Sequence, residues 1–476
     1  MSSLVSDRLG RRIILLLLII KMVVTGFNFA EQSVRSGYDY RHHAWRARSA
    51  GLEMGKMAYN PPLYYFPALP SVDVGAYYHD GKPIITSYPY DTSETAVALL
   101  DRIRLFNFGY LLSFYVAWIY FIFPHVVPNR RSWLLASLLL LTLPGYQKAA
   151  AMAHPDNLLM SFSACTTALW IRLHMLQRAR FRDGIGLAFA TGLVGLTRPF
   201  AIVPIFFFSL LNAWSQAKNA LADKARPIAK RIAAVAGRLV AIGAIVVALA
   251  GSWWTFRYLE TGTVFGAYAE SYIEHFEPYR KGFDYRHYYT SFHFVDLIIN
   301  PSRDMSGSDE PSHNLLGNTF PTIVYSEIWG DHWLYYSGTD APEHKAWAKR
   351  IALVTALPLS VAFMGLLAVG LVRAAVRYVR SRCRVTPEAL FAAMACVGFG
   401  LFIYWQGHSG LLPGKNSTIK FMYFAYAAPY AIATAFGARL RERTFHALAA
   451  YTLVVFATTL PIAVADAAWI QSFRLS

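Results

Sequence analysis

Long apolar runs recur along the sequence and constrain its fold more than any other feature. About eleven segments of roughly 17 to 25 residues are each apolar enough to cross a hydrocarbon core of about 30 Å. Hydrophobic residues make up 55% of the 476 positions and charged residues 15%, far more apolar than a soluble protein of this length. We therefore expect an all-α polytopic membrane protein, with residues 1–476 forming a single membrane domain.

The predicted spans alternate with short polar segments. We expect them near residues 12–30, 105–127, 132–147, 157–175, 183–197, 199–214, 237–256, 350–372, 386–406, 419–436 and 444–464. The first span is preceded by Arg8, Arg11 and Arg12 in the manner of a signal peptide, but no small-residue cleavage site follows it. We interpret it as a retained first helix.

The net charge of +17 has a topological explanation. About half of the Lys and Arg residues fall in short segments at alternate crossings, around residues 8–12, 130–131, 172–182, 218–238, 373–384 and 439–443. The positive-inside rule assigns these segments and the N-terminus to the cytoplasm. Because the basic residues neither form one patch nor alternate with aromatics, nucleic acid is not an expected partner.

This topology leaves two long segments, 31–104 and 257–349, on the extracytoplasmic side, with shorter ones at 148–156, 197–199 and 407–418. The loop 257–349 is acidic and rich in aromatic residues, so we expect it to fold as a partly helical cap over the bundle. In the loop 31–104 we expect an interfacial helix within residues 41–57, halted by Pro61 and Pro62.

Asp39 follows the first span closely and stands beside His42 and His43. A carboxylate near the membrane surface could serve as a general base, with imidazoles in reach to tune it or to bind a metal. A solvated loop acid or a helix cap is the alternative interpretation.

The segment from Asn60 to Tyr65 contains two prolines that fix its backbone. The tips of Asn60, Tyr64 and Tyr65 would suit a rigid wall beside a lipid headgroup. An aromatic belt at the membrane surface explains the same residues equally well.

His154 and Asp156 lie where the third predicted span ends and the fourth begins, and Arg198 interrupts a long apolar stretch at the same face. Arg suits phosphate because its planar guanidinium presents a fork of donors. The alternatives are a helix cap for Asp156 and a snorkelling membrane anchor for Arg198.

Glu327, Asp331 and His332 stand among tryptophans in the large loop. A Trp ring beside carboxylates is suited to a sugar, because the ring stacks on its apolar face while the acids accept hydroxyl hydrogen bonds. Loop packing is the alternative. Lys415 and Lys420 open the tenth span from outside, where they could face an anionic headgroup or act as interfacial lysines.

These motifs, in their order, resemble the integral-membrane glycosyltransferases of the C-type fold (GT-C), especially the branch containing the lipid A aminoarabinose transferase and the protein O-mannosyltransferases. The resemblance covers roughly the first 270 residues. It is carried by the first-loop acid Asp39, the Pro-Pro-Leu-Tyr-Tyr turn ending at Tyr65, the Pro155-Asp156 pair and the bend at Arg198. Tyr40, Asn60 and Arg198 depart from the residues that the family commonly has at those places.

The resemblance implies transfer of a sugar, with inversion, from a polyprenyl-phosphate-linked donor to an acceptor hydroxyl of a glycan, lipid or protein outside the cytoplasm. It implies a bacterial inner membrane, with the site facing the periplasm or the outside. Asp39 and Asp156 would be the catalytic acids, Asp39 as general base. The candidate phosphate partners are Lys56, Arg198, Lys415 and Lys420.

Three alternatives stay open. The chain could instead transport or flip a lipid-linked or anionic substrate, which also needs many spans and cations near the membrane. It could be a noncatalytic partner in envelope assembly. A divalent metal ion is a further alternative, with Asp39, His43, His154 and Asp156 as ligands.

Overall fold

Helices follow the apolar runs in the computed structural model. It describes residues 2–31, 34, 40–48, 62–71, 78–79, 82–83, 93–175, 180–198, 201–221, 227–261, 284–299, 301, 319–330, 346–381, 386–408, 421–438 and 440–464. Seven predicted site residues lie outside these ranges: Asp39, Lys56, Asn60, Asp331, His332, Lys415 and Lys420. The side chain of His42 is also outside the described part of the chain.

The N-terminal half contains eleven described α-helices. They are α1 (Ser2–Glu31), α2 (Tyr40–Arg48), α3 (Glu94–Val116), α4 (Phe123–Val126), α5 (Arg130–Thr142), α6 (Gly145–Ala151), α7 (Asp156–Trp170), α8 (Phe181–Gly195), α9 (Ile202–Leu221), α10 (Ile228–Val246) and α11 (Ser252–Thr261). A π-helical turn, Ala117–Ile122, joins α3 to α4, and Val247–Gly251 joins α10 to α11 in the same way. A third, Ile171–Met175, extends α7.

The C-terminal half continues with further helices. They are α12 (Tyr285–Thr290), α13 (Phe294–Ile299), α14 (Phe320–Trp329), α15 (Ala346–Arg380), α16 (Pro387–His408), α17 (Phe421–Phe424), α18 (Ala428–Ala435) and α19 (Glu442–Ala463). The described chain departs from the all-α expectation only in a two-residue antiparallel ladder of β1 (Tyr78–His79) and β2 (Lys82–Pro83).

Among the described helices, five are long and apolar enough to cross a membrane: Arg8–Ala30, Glu94–Val126, Ile228–Phe256, Ala346–Arg380 and Glu442–Ala463. The bent pair α5 and α6, which turns by 47°, would make a sixth if it is one span. Some other apolar helices are shorter: α7 and α8 have 15 residues each, about 22 Å at 1.5 Å per residue. In its described part the chain is therefore almost entirely helical, as in an all-α protein of membrane type.

Two structural features bring the first long loop onto the bundle. The segment Pro62–Ser71 forms a 3-10 helix with Pro67 and Pro70 inside it, because proline supplies no N–H for continued α-helical bonding. Its Leu63 N–H donates to the carbonyl of Leu196 at the end of α8, at 3.3 Å. Helix α2 packs on α3 and buries Ala44 and Ala47 completely. The predicted helix in this loop is thus present as Tyr40–Arg48.

Candidate functional site

The chain leaves helical geometry between α6 and α7, and this break carries two predicted site residues. Met152, after the end of α6, has an extended backbone, and α7 begins again at Asp156. No side chain caps the new helix. A carboxylate in the first turn is favoured there by the helix dipole. Asp156 is nevertheless buried, with 1% of its surface exposed, so it needs partners to remain charged.

Arg198 supplies the main partner from the segment after α8. Its Nε and Nη2 lie 2.9 and 2.8 Å from one oxygen of Asp156, Oδ2. His154 Nδ1 lies 2.5 Å from the same oxygen. Burial alone would raise the pKa of the Asp156 carboxyl, but Arg198 and His154 together hold that pKa below its ordinary value of 3.8. The other carboxylate oxygen, Oδ1, is buried and has no hydrogen-bond partner among the described residues.

His43, from α2, lies on the other side of His154. The two imidazole rings meet edge to face with centroids 4.9 Å apart. His43 Nδ1 also lies 2.5 Å from the hydroxyl of Tyr65, and the Arg46 guanidinium stands 4.8 Å from the centre of the Tyr65 ring. His43, Tyr65 and Arg46 are all buried. We call the residues His43, Tyr65, His154, Asp156 and Arg198 the polar cluster.

Two asparagines hold the backbone of the break beneath the polar cluster. Asn107, on α3, donates from Nδ2 to the carbonyls of Ala150 and Met152 at 3.0 and 2.7 Å. Its Oδ1 accepts from the hydroxyl of Tyr64 at 3.2 Å. Asn107 thus joins the Pro-Pro turn to the break, and these bonds satisfy carbonyls that no helix serves.

Asn157 supports the same backbone from α7. Its Nδ2 lies within 3.2 Å of the carbonyls of Ala149, Met152 and His154. Side-chain amides therefore bond the carbonyls that precede His154 and that of His154 itself, which fixes where its imidazole can point.

The segment that follows the last predicted outer loop closes the polar cluster. Arg198 stands 5.3 Å from the centre of the Tyr423 ring, a cation–π geometry, and His154 lies 6.0 Å from that ring. Two residues earlier, the Phe421 N–H donates to Glu327 Oε2 at 3.3 Å. Glu327, predicted in the large loop, is therefore bonded to the same short helix α17 and is 6% exposed.

All five residues of the polar cluster are among those that the sequence predicts as site residues, but four of its neighbours are not. Arg46 lies one helical turn after His43, so the helix spacing alone would place the two on one face. Asn107 and Asn157 are amides within apolar helices, which is a usable signal because a polar group there needs a partner. Tyr423 carries no signal that separates it from neighbouring aromatics.

A metal site receives no support from the described residues. No group of three or more His, Cys, Asp or Glu side chains is arranged to hold a metal ion among them. Asp39, one of the four predicted ligands, lies outside the described ranges. His43, His154 and Asp156 are close neighbours, but His43 lies against the Tyr65 hydroxyl and Asp156 is taken by Arg198.

The fold and the polar cluster define a helical protein of membrane type with a buried Arg–Asp–His group where several helices end. No protein-family model matches the sequence, and no curated protein matches it significantly.

Proposed function

We propose that this protein is a GT-C-type membrane glycosyltransferase that moves a sugar from a polyprenyl-phosphate carrier to an acceptor hydroxyl on the extracytoplasmic side. One observation carries the proposal. Residues from four separate sequence motifs meet around His154. Asp156 and His43 contact His154 directly. Arg198 contacts Asp156, and Tyr65 contacts His43. A chain in which those motifs were unrelated caps and anchors would have no reason to gather them.

The proposal includes the full topology of about eleven crossings, with the N-terminus in the cytoplasm. The shorter apolar helices α5 to α9 and α16 to α18 lie at the positions of the remaining predicted spans. In this arrangement α12, α13 and α14 belong to the cap, and the polar cluster faces the extracytoplasmic side.

In the proposed reaction the acceptor oxygen attacks the anomeric carbon and forms the new glycosidic bond. The bond from that carbon to the phosphate oxygen breaks, and the phosphate leaves with the electron pair. Asp39 takes the proton of the acceptor hydroxyl. Cations stabilise the departing phosphate, which needs charge compensation more than a proton.

Asp156 has a positioning role in this scheme. Its Oδ2 already serves both Arg198 and His154 in a buried site, so it orients the guanidinium rather than moving a proton. The proposed phosphate partners also include Lys56, Lys415 and Lys420. The proposed sugar contacts are Glu327, Asp331 and His332.

A reconstituted transfer assay tests the proposal. The purified protein in lipid nanodiscs is given a panel of polyprenyl-phosphate sugars with acceptor lipids, and both the glycosylated product and released polyprenyl phosphate are measured. We expect stoichiometric product and carrier from one donor. Asp39→Asn should lose most of this activity, whereas Asp183→Asn, the same change of a carboxylate to an amide in the capping box at the start of α8, should retain it. If Asp39→Asn were as active as the wild type, Asp39 would not be the general base.

Lys21 favours the transport alternative, because it is a buried charge within an apolar span. Its Nζ lies 2.5 Å from Gln147 Oε1 and 5.3 Å from the centre of the Phe456 ring. Proteoliposomes with a fluorescent lipid-linked sugar discriminate the two functions. Translocation of the donor without any acceptor, lost in Lys21→Met, would support a transporter and oppose the transferase.

A further inference from the structure

A second charged site lies far from the polar cluster, in a cleft where α4, α15, α16 and α18 meet. The cleft is open to the outside and is lined by residues of these helices. Gly370 lets α15 lie close against the backbone of α18 at this place, because an added Cβ would come within 2.2 Å of the carbonyl oxygen of Thr434. The charged lining residues are Arg373, Arg377 and Glu388. We call this the basic cleft.

The cations of the basic cleft are not equally engaged. Arg377 Nη1 donates to Glu388 Oε1 at 3.2 Å, and both side chains are at least a third exposed. Arg373, one turn earlier on the same helix, is half-buried and makes no hydrogen bond or ion pair with the described part of the chain. The lining therefore offers one cation in excess, shielded from bulk water on one side.

Helix geometry relates the basic cleft to the membrane. The continuous helix from α3 to α4 carries Asn107 beneath the polar cluster and Val126 in the lining of the basic cleft. At 1.5 Å per residue the two positions are about 30 Å apart along the axis, which matches the hydrocarbon thickness of a bilayer. The basic cleft thus lies one membrane thickness from the polar cluster, beside the opposite boundary.

An exposed apolar face on α15 leads to the basic cleft. Val361, Val369 and Val372 are 65%, 52% and 64% exposed, and Arg373 follows directly. A free anion would gain nothing from this face, whereas the acyl chains of a lipid would cover it. Basic pockets between helices at a membrane boundary are suited to anionic lipid headgroups.

We propose that the basic cleft binds the phosphate headgroup of an anionic phospholipid, with Arg373 as the main contact and the acyl chains along the apolar face of α15. Arg377 contributes in part, because Glu388 competes for its guanidinium. This site is separate from the proposed transferase reaction and does not depend on it.

Native mass spectrometry of the protein released from nanodiscs of equal phosphatidylglycerol and phosphatidylcholine tests the site. We expect selective retention of phosphatidylglycerol, reduced at least about fivefold in Arg373→Gln, since the loss of a direct hydrogen bond to a charged group weakens binding by that factor or more. Arg380→Gln on the same helix, outside the cleft lining, is the matched control and should change nothing. Glu388→Gln should increase retention, because it removes a like charge and releases Arg377.

Three results would overturn the proposal. Equal retention in Arg373→Gln and Arg380→Gln would show that the cleft holds no headgroup. Unchanged or lower retention in Glu388→Gln would contradict the assigned electrostatics even if Arg373→Gln folded poorly. If inorganic phosphate displaced phosphatidylglycerol as effectively as a soluble lipid with a glycerophosphate headgroup does, the basic cleft would be a site for a free anion instead.

Discussion

Arg198 donates through both Nε and Nη2 to Oδ2 of Asp156, across 42 residues of sequence, and both side chains are at most 4% exposed. This pair fastens the segment after α8 to the first turn of α7. Because both ions have left water, their attraction must offset a large desolvation cost. The pair therefore fixes the position of the two segments relative to each other. Removing only one partner should lower the free energy of unfolding more than removing both.

Removing Arg198 should destabilise the protein strongly. In Arg198→Ala the Asp156 carboxylate stays buried without the guanidinium and keeps only its contact with His154, so we expect a loss of about 3–5 kcal/mol in the free energy of unfolding. The double variant Arg198→Met/Asp156→Leu should lose less than either single variant. Unfolding in a lipid–detergent mixture measures this. Arg182→Ala is the control: the Arg182 side chain is 76% exposed, so this variant should be about as stable as the wild type. A double variant less stable than both single variants would contradict this interpretation of the pair.

Acid should remove the contribution of this pair. The pKa of folded Asp156 lies below its ordinary value of 3.8, so its stabilisation is fully present above that pH. It is lost as the pH falls through the lower, folded pKa. Thermal unfolding followed from about pH 6 to about pH 3 should show the wild type approaching the Arg198→Met/Asp156→Leu variant. A constant difference between the two across this range would mean that Asp156 does not titrate as described.

The hydroxyl of Tyr65 should be coupled to His43 specifically. Tyr65→Phe removes the group 2.5 Å from His43 Nδ1 and should cost about 1 kcal/mol of stability. In a His43→Ala background the same change should cost little, which a double-mutant cycle measures. Tyr64→Phe provides the comparison, because its hydroxyl bonds Asn107 instead; its effect should be additive with His43→Ala. Equal coupling for both tyrosines would refute the pairing.

The sequence anticipates the helices and the ends at which polar residues gather. Apolar runs predict helices because a backbone in hydrocarbon must satisfy its own hydrogen bonds, and Asp156 and Arg198 stand where such runs stop. It does not show that Arg198 is bound to Asp156, because that contact depends on how α7 and α8 pack. Nor does it indicate Tyr423, one aromatic among many. The basic cleft is lined by residues of separate helices, which no local pattern relates.

Asn107 should support function beyond its effect on stability. Asn107→Ala leaves the carbonyl of Ala150 without its side-chain donor and that of Met152 with only the longer bond from Asn157. We therefore expect a loss of about 1–3 kcal/mol and a larger loss of transfer activity through the displaced His154. Asn129→Ala is a matched control. It removes the N-cap of α5, in which Asn129 Oδ1 accepts from the Ser132 N–H at 2.9 Å, and should cost about 1 kcal/mol of stability. Asn129→Ala should keep its activity when assayed where both variants are folded. Equal activity in the two would leave Asn107 a purely structural residue.

The central claim is that the polar cluster borders the site of a lipid-linked sugar donor. A structure of the protein in nanodiscs with a non-hydrolysable phosphonate analogue of a polyprenyl-phosphate sugar tests it most directly. The account predicts density for the phosphonate and sugar beside His43, His154 and Arg198, with the prenyl chain leaving sideways into the lipid. Density for the analogue at any other part of the molecule, with the polar cluster unchanged and closed to it, would contradict the account.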